Sequence, residues 1–251
     1  MSREDTILYQ FPISHYCEKA RWTLAFKGLP YRLVNLAPGL HLRKTRKMGC
    51  GATSLPVLRH GGQIVQGSDA IIDYLDRIQP EPRLTPLDPA EAAEAREWEV
   101  FLDREIGVHL RRYFYHYLLA QPAMAKRMIL HDTSFSIRAI YAFAFPAIRR
   151  LMRRAMNIRP ETAEKSRQRL LEAIDRLNQT LKNRNYLVGD RFSRADMSAA
   201  ALLAPLCTPP EHSFPFPQEA EMPEVLRDFR AAHRQEPFFL WTLKLYREHR
   251  G

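Results

Sequence analysis

The sequence predicts an α+β N-terminal domain followed by an all-α helical-bundle domain. About the first 80 residues alternate short β-prone runs with helical patterns, in the order β-α-β, loop, β-β-α. A proline-dense stretch then begins at Pro80, and only helical patterns follow it. We therefore expect one domain over residues 1–80, a linker over 81–89 and a helical domain over 90–251.

The first strand and the first helix are predicted by their end signals. The run at 7–11 is β-prone, and Pro12 should end it. Ser14 is placed to cap the next helix, because its hydroxyl can accept a backbone N–H that has no partner inside the helix. That helix should end at Gly28-Leu-Pro30, where a glycine is followed by a proline.

The rest of the N-terminal domain follows from short apolar runs and turn residues. Three further runs predict strands: 31–36, 55–59 and 63–66. The basic stretch and two glycines between the first two of these are interpreted as a loop. His60-Gly-Gly62 predicts a hairpin. Ser68 is then expected to cap a helix over 69–78.

Three helix signals mark the C-terminal domain. Asp88-Pro89 is a cap followed by proline in the first turn, and it should open a long helix that ends near Leu119. Pro160 opens another helix with one apolar face. Ser193-x-x-Asp196 is a capping-box variant that precedes an apolar helix.

Composition narrows the class of protein. Hydrophobic residues make up 45% of the 251, enough to bury a core, but no apolar run approaches about 18 residues, so we expect no membrane span. The charged N-terminus lacks a secretory signal and the three cysteines are scattered, which favours the cytoplasm. The nine histidines show no metal-ligand spacing, so no metal is expected.

The net charge of +10 favours anionic partners, but no nucleic-acid motif is present, so no nucleic acid is expected.

The order and spacing of these motifs resemble the glutathione transferase superfamily. The resemblance rests on residues 7–78, which include Ser14, Leu55-Pro56 and Ser68, and on 160–205, which include the cap at 189–196. It implies a thioredoxin-like N-terminal domain, glutathione as co-substrate, and a homodimer that acts in detoxification. It also implies attack of the glutathione thiolate on a small hydrophobic electrophile.

The resemblance also implies a set of glutathione-binding residues: Leu55, Pro56, Gln66, Ser68 and Asp69. Leu55-Pro56 is similar to the cis-proline step of the family, where the backbone pairs with the ligand. Ser68 opens a helix, and a helix N-terminus favours a carboxylate. The chain departs from the family in having Gly67 before Ser68, with Gln66 one place earlier.

Ser14 is the predicted catalytic residue. Many relatives carry a tyrosine where this chain has Gln10, whereas others use a serine at the opening of the first helix. A hydroxyl donor at the positive end of a helix stabilises a thiolate. The alternative is that Ser14 is a plain helix cap, worth about 1 kcal/mol. Cys17 is the alternative catalytic residue, which would make the protein a glutathione-dependent thiol reductase, or it is a buried apolar side chain.

In the family the long helix lines the electrophile pocket. Arg112, Tyr113 and Tyr117 at its end are therefore candidate substrate contacts, although an aromatic stripe at helical spacing is more often core.

The segment 121–159 is additional to the helices that a minimal member of the family needs. Residues 135–158 are apolar and basic, and Ile148, Leu151, Met152 and Met156 share one face. This pattern is typical of an amphipathic helix on an anionic membrane surface. It also fits a helix hairpin kinked at Pro146 and packed on its own domain, which we favour. The membrane interpretation would suit a non-catalytic scaffold that binds a membrane or a protein partner.

Overall fold

The computed structural model describes residues 5–250. A four-stranded sheet with strand order β2-β1-β3-β4 forms the centre of the N-terminal domain. The strands are β1 (Thr6–Gln10), β2 (Arg32–Asn35), β3 (Val57–His60) and β4 (Gln63–Gln66). β1 and β2 are parallel, whereas β3 is antiparallel to both β1 and β4. The helices of this domain are α1 (His15–Phe26), α2 (Leu40–Lys47) and α3 (Ser68–Ile78).

Two sequence predictions for this domain are corrected by the structure. The stretch interpreted as a loop contains the helix α2, which begins after Gly39 without a side-chain cap. Thr45 is its one buried residue, so the sequence has no apolar stripe to reveal the helix. Ser68 does not cap α3 but is its first residue, and Gly67 stands at the cap position without a side-chain hydrogen bond.

The remainder of the chain is helical. In order it contains α4 (Pro89–Phe101), a π-helical segment (Leu102–Gly107), α5 (Val108–Leu118), α6 (Pro122–Ile129), α7 (Phe135–Ala155), α8 (Pro160–Leu181), α9 (Arg194–Cys207), a 3-10 turn (Glu219–Glu221), α10 (Glu224–His233) and α11 (Pro237–His249). The predicted long helix is therefore continuous from Pro89 to Leu118, with a π-helical interruption that the sequence did not predict.

A network of charges, in which Lys19, Glu99 and Arg194 are buried and Asp73 and Asp103 are partly exposed, joins the two domains. Lys19 of α1 contacts Glu99 of α4 and Asp103 of the π-helical segment, each at 2.9 Å between nitrogen and oxygen. Arg194 of α9 contacts Glu99 and Asp73 of α3, each at 2.5 Å. Buried charges tolerate few alternative arrangements, because removing one partner leaves the other unpaired in a medium of low dielectric constant. The network therefore fixes the position of α1 relative to the helical domain.

The predicted cap before α9 is present. Asp196 accepts hydrogen bonds from the backbone N–H of Ser193 at 2.9 Å and of Leu187 at 2.8 Å. All three residues are buried, so these bonds satisfy backbone groups that water cannot reach.

The segment after α6 forms one continuous helix, α7, through Pro146, instead of the predicted hairpin kinked there. One side of α7 is buried against α5, α6 and the loop after β2. The buried side holds Tyr141, Phe145 and Met152. The opposite side leaves several large apolar side chains exposed: Phe135, Ile140, Phe143 and Leu151. In the described part of the chain, no helix has the length and apolar character needed to cross a membrane.

Candidate active site

A cavity of about 320 Å³ lies where the two domains meet, and we call it the active-site cavity. Its lining comes from the β1–α1 loop and the start of α1, the loops before α2 and β3, and the helices α2, α5, α6 and α7 with the residue that follows α7. The lining residues are Phe11, Ile13, Ser14, His15, Tyr16, Pro38, His41, Thr53, Ser54, Leu55, Arg111, Tyr115, Ile129, Met152, Ala155 and Met156. A volume of this size is sufficient for a small ligand.

Ser14 lies at the cavity and at the N-terminus of α1. Its Oγ accepts a hydrogen bond of 3.3 Å from the backbone N–H of Cys17, so it caps the helix as predicted. The hydroxyl oxygen accepts this bond, so the hydroxyl proton can be donated either to the neighbouring Cys17 sulfur or to an acceptor in the cavity. The capping and donor interpretations are therefore compatible in one geometry.

The position at which many relatives carry a tyrosine has a structural role here. Gln10 is buried, donates a 2.8 Å hydrogen bond from Nε2 to the side-chain oxygen of Asn35, and accepts one from Arg21. Its amide thus joins β1, β2 and α1 and is not free to bind a ligand.

Cys17 does not meet the requirement of the reductase alternative. The side chain is 0% exposed and packs with Ile7, Tyr9 and Val57. Burial raises the pKa of the Cys17 thiol, despite opposing effects of Arg21 and Ser14. A reactive cysteine needs a lowered pKa and access to its substrate, so the structure supports the buried apolar interpretation.

The predicted glutathione residues occupy three different positions. Leu55 lines the active-site cavity, and the Leu55–Pro56 peptide bond is cis as expected. Gln66 instead holds the loop that precedes this bond. Its amide donates to the carbonyls of Ala52 and Ser54 at 2.9 and 2.8 Å, and accepts from the Ala52 N–H at 3.1 Å. Gln66 therefore positions the loop.

Ser68 and Asp69 form the first turn of α3. Ser68 is buried and is not among the residues that line the cavity. Asp69 folds back over Gly67: a Cβ atom at position 67 would lie 2.8 Å from Oδ1 of Asp69. Gly67 also has a φ of +102°, so both space and backbone conformation require glycine there.

The aromatic and basic residues at the end of the long helix are placed differently from the prediction. Tyr113 is buried in the main core, and Tyr117 packs against it with ring centroids 5.3 Å apart. Arg112 donates to the carbonyl of Met156 and to the hydroxyl of Ser166. Their neighbours Arg111 and Tyr115 line the cavity instead. Spacing alone could not reveal this, because the π-helical segment changes which face of α5 points inwards.

The sequence analysis did not identify two polar side chains at the cavity, Tyr115 and His15. Burial raises the pKa of Tyr115 to about 12, so its hydroxyl is a neutral donor. His15 is 6% exposed, and burial followed by the effects of Arg111 and Lys19 lowers its pKa to about 3. It is therefore a neutral imidazole near pH 7. The sequence signal available was only that His15 follows Ser14.

α7 covers one side of the cavity, and we call it the lid helix. Met152 and Ala155 of this helix and Met156, which directly follows it, line the cavity. The Tyr141 hydroxyl donates a hydrogen bond to the backbone carbonyl of Pro38, another lining residue. The additional segment in the sequence thus contributes directly to the candidate site. Within residues 5–250, no group of three or more His, Cys, Asp or Glu side chains could hold a metal ion.

Comparisons with known proteins agree with this architecture. The protein-family model for the glutathione S-transferase N-terminal domain matches residues 8–83. The family model for the C-terminal domain matches residues 137–227. A probable glutathione S-transferase of Nicotiana tabacum is 22% identical over 192 residues, which cover 76% of this chain and 67% of the relative. Protein LigF of Sphingobium sp. is 28% identical over 204 residues, covering 78% of this chain and 76% of LigF.

Two solved structures share the fold. That of the beta-etherase LigF from Sphingobium sp. covers 96% of this chain and 99% of its own, with 24% identity and a TM-score of 0.63. A glutathione S-transferase of Methylobacterium radiotolerans, in complex with glutathione sulfonate, covers 95% of this chain and 94% of its own, with 22% identity and a TM-score of 0.56. The matched domain models and this fold lead to one conclusion: the chain belongs to the glutathione transferase superfamily.

Proposed function

We propose that the protein is a glutathione-dependent transferase in which Ser14 stabilises the glutathione thiolate for attack on an apolar electrophile. The observation that carries this proposal is the position of Ser14. It stands at the N-terminus of α1 and lines a cavity that the cis Leu55–Pro56 loop and the lid helix also line.

The chemistry requires a lower pKa for the thiol of bound glutathione. A free thiol has a pKa of about 8.5, so only a few per cent is ionised near pH 7. Lowering that pKa by ~2 units requires ~2.7 kcal/mol. A hydrogen bond from the Ser14 hydroxyl and the positive end of α1 together have about this magnitude. Tyr115 is a second donor at the cavity and would act on the electrophile.

The proposed glutathione site joins the cavity to the start of α3. Leu55 would pair with the ligand backbone, and the first turn of α3 at Ser68 and Asp69 would receive the γ-glutamyl group. An N-terminal helical turn offers free backbone N–H groups to a carboxylate. Basic α2, which carries His41 at the cavity, is suited to the other carboxylate of glutathione.

Calorimetric titration with glutathione tests the site. We expect saturable binding that Ser68→Ala weakens. Ser14→Ala should mainly reduce the proton release that accompanies thiol ionisation. Asp88→Ala is the matched control, because Asp88 caps α4 with hydrogen bonds of 2.9 and 3.0 Å but does not line the cavity. Absence of binding at millimolar glutathione would contradict the proposal.

The electrophile is proposed by class only. The polar lining residues are Ser14, His15, His41, Thr53, Ser54 and Arg111. The rest of the cavity is formed by apolar and aromatic side chains, including Met152 of the lid helix and Met156 directly after it. Methionine adapts to ligands of varied shape. A screen with halogenated aromatics and, given the resemblance to a beta-etherase, with ethers would identify the reaction.

A second candidate function is binding to an anionic membrane surface, and the outer side of the lid helix favours it. Phe135 and Phe143 are 85% and 89% exposed, and Arg150 and Arg154 are exposed on the same helix. No acidic residue occurs between Asp132 and Glu161. Exposed aromatic side chains among arginines suit the boundary between lipid headgroups and acyl chains. The predicted face differs, since Met152 is buried and Met156 lines the cavity.

Co-sedimentation with vesicles tests this second function. Vesicles that contain phosphatidylserine should retain the protein, and purely zwitterionic vesicles should not. Replacing Phe143 with Ser and Arg150 with Gln should abolish retention, whereas Arg104→Gln, a change at an exposed arginine outside the lid helix, should not. Equal retention on both vesicle types would exclude recognition of anionic lipid.

We also propose a homodimer that uses the outer face of α3 and α4. Ile78 and Val100 are apolar side chains that remain substantially exposed on these helices. Light scattering after size exclusion should give a dimer mass, and Val100→Glu should give a monomer. Leu240→Glu, a similar change at an exposed position of α11, is the control.

A further inference from the structure

A second, smaller cavity of about 60 Å³ adjoins the active-site cavity, and we call it the inner cavity. Ile13, His15, Arg111 and Tyr115 line both cavities and therefore form the boundary between them. The rest of the inner lining is almost wholly apolar and comes from α5, α6, the end of α9 and the chain that leads into α10. It consists of Leu110, Phe114, Leu118, Met124, Met128, Pro205, Thr208, Phe216, Pro217, Met222, Pro223 and Leu226.

Arg111 places a positive charge on this boundary, and no carboxylate among the described residues forms an ion pair with it. Its Nε is buried and has no hydrogen-bond partner among residues 5–250. Neither cavity lining contains Asp or Glu. The guanidinium lies 5.8 Å from the ring centroid of Tyr16, a contact that offsets only a small part of the loss of water. The side chain is half-buried, so part of the guanidinium is removed from water without a partner, and a bound anion would be stabilised here.

His15 provides a second unsatisfied polar group at the same boundary. The side chain is more than nine-tenths buried, and the backbone of Gly107 is a polar neighbour that raises the imidazole pKa against the stronger lowering effects. Nε2 nevertheless makes no well-formed hydrogen bond in the described part of the chain. A buried polar atom without a partner is rare in native proteins, and a ligand is one of the few explanations. His15 and Arg111 interact electrostatically, since the guanidinium contributes to the low pKa of the imidazole.

We propose that the electrophile of this enzyme is an apolar molecule with a carboxylate, which Arg111 and His15 bind at the boundary while an apolar group enters the inner cavity. This inference rests on the proposed function, because it specifies the substrate class of the same site. Arg111 would form a charge-assisted hydrogen bond to the carboxylate, and Nε2 of His15 would donate a second one. The reacting carbon would then lie in the active-site cavity with Ser14 and the thiolate.

Glutathione itself is the other possible source of a carboxylate. The structure favours the electrophile, because Arg111 and His15 face the apolar inner cavity as well as the site of Ser14. The first turn of α3 and the basic helix α2 offer separate positions for the carboxylates of glutathione. Glutathione affinity in an Arg111 variant distinguishes the two sources.

A chloro-dinitrobenzoate and the matching chloro-dinitrobenzamide are suitable probes, because they differ in charge but hardly in shape. In each reaction the glutathione thiolate forms a C–S bond to the ring carbon that bears chlorine. The C–Cl bond breaks, and chloride leaves with the electron pair. The thiol proton passes to solvent, so the reaction requires no oxidant or reductant.

In the wild type, we expect kcat/KM for the benzoate to exceed that for the benzamide by at least about tenfold. Arg111→Met should remove this preference by lowering the benzoate value at least about tenfold more than the benzamide value, and Arg111→Lys should retain most of the preference. Arg104→Met is the matched control, since Arg104 is exposed on the same continuous helix and lines neither cavity. The affinity for glutathione should stay within about twofold in Arg111→Met.

A binding measurement separates this inference from the proposed function. Dinitrobenzoate without the chlorine cannot react, and its dissociation constant can be measured by calorimetry without glutathione. Tighter binding of dinitrobenzoate than of dinitrobenzamide, lost in Arg111→Met, supports the carboxylate site even if no conjugation is seen. Equal binding of the two compounds by the wild type overturns it, even if conjugation is fast. Loss of glutathione affinity in Arg111→Met also overturns it, by assigning Arg111 to glutathione.

Discussion

Tyr141 of the lid helix donates a hydrogen bond through its hydroxyl to the backbone carbonyl of Pro38, in the loop between β2 and α2. The bond joins the helical domain to the N-terminal domain beside the active-site cavity, because Pro38 lines that cavity. Tyr141 is itself fully buried, so the hydroxyl has no access to water as an alternative partner.

Tyr141→Phe should weaken the attachment of the lid helix to the loop at Pro38. It should not create a cavity in the core, because only the hydroxyl is removed. We expect KM for a large apolar electrophile to rise several-fold while the affinity for glutathione is kept. The free energy of unfolding should fall by about 1 kcal/mol. Steady-state kinetics and urea denaturation measure these effects. Ile140→Ala, a change at an exposed residue of the same helix, should leave KM unchanged. An unaltered KM in Tyr141→Phe would show that the bond does not govern access to the cavity.

Ser14→Ala should move the pH dependence of turnover to higher pH. The variant loses the hydroxyl donor to the thiolate, so the thiol of bound glutathione should ionise ~1–2 pH units higher. Ser14→Thr retains the hydroxyl and should retain most of the wild-type profile. An identical pH profile in wild type and Ser14→Ala, with only a small loss of stability, would reduce Ser14 to a helix cap.

Glu18→Gln should make the free energy of unfolding less dependent on pH in the acid range. Burial opposes ionisation of Glu18, but Arg21, His212 and Arg250 outweigh it and lower its pKa to about 2. A lowered pKa means that the carboxylate contributes stability above the unfolded pKa of 4.5, and that this contribution is lost as pH falls towards 2. The variant should lose roughly 3 kcal/mol at neutral pH and show a flatter stability curve between these values.

Urea denaturation at a series of pH values measures that difference. The control is Glu164→Gln on α8, because Glu164 is exposed and pairs with Arg167 at the surface. Surface ion pairs contribute little, so its curve should follow the wild type. A slope in Glu18→Gln equal to that of the wild type would refute the assigned pKa direction.

Gly107→Ala should disturb the junction between the π-helical segment and α5. A Cβ atom there would lie 2.4 Å from the hydroxyl oxygen of Tyr16 and 3.0 Å from a methyl carbon of Leu202. Overpacking of this kind costs about 1–3 kcal/mol. Combining it with Tyr16→Phe should restore part of the loss, whereas Gly51→Ala, which meets no atom within 4 Å, should be nearly neutral. Thermal unfolding of these three variants and the wild type gives the comparison.

The sequence predicted those elements whose signals are local. Ser14 and the pair Ser193 and Asp196 cap their helices as expected, because a cap needs only residues within one helical turn. The cis bond before Pro56 was likewise anticipated from the motif around it.

Features that depend on distant packing were not predictable in the same way. α2 has no side-chain cap and only one buried side chain, so its formation depends on the surrounding domain and not on local sequence signals. Arg111 and Tyr115 could not be separated from Arg112 and Tyr113, because the choice depends on the rotation of α5 by the segment before it. The unpartnered nitrogens of His15 and Arg111 likewise become visible only when both cavities are known.

The π-helical segment at Leu102–Gly107 also suggests how substrate range could change during evolution. Each residue of an α-helix turns the chain by about 100°, so gain or loss of one codon in this segment would rotate the whole of α5 by that angle. A different set of side chains would then face both cavities, while the buried charges at Glu99 would keep the preceding turns of the helix in place. One short insertion or deletion could thus exchange an entire substrate-facing surface, which point mutations would have to rebuild residue by residue.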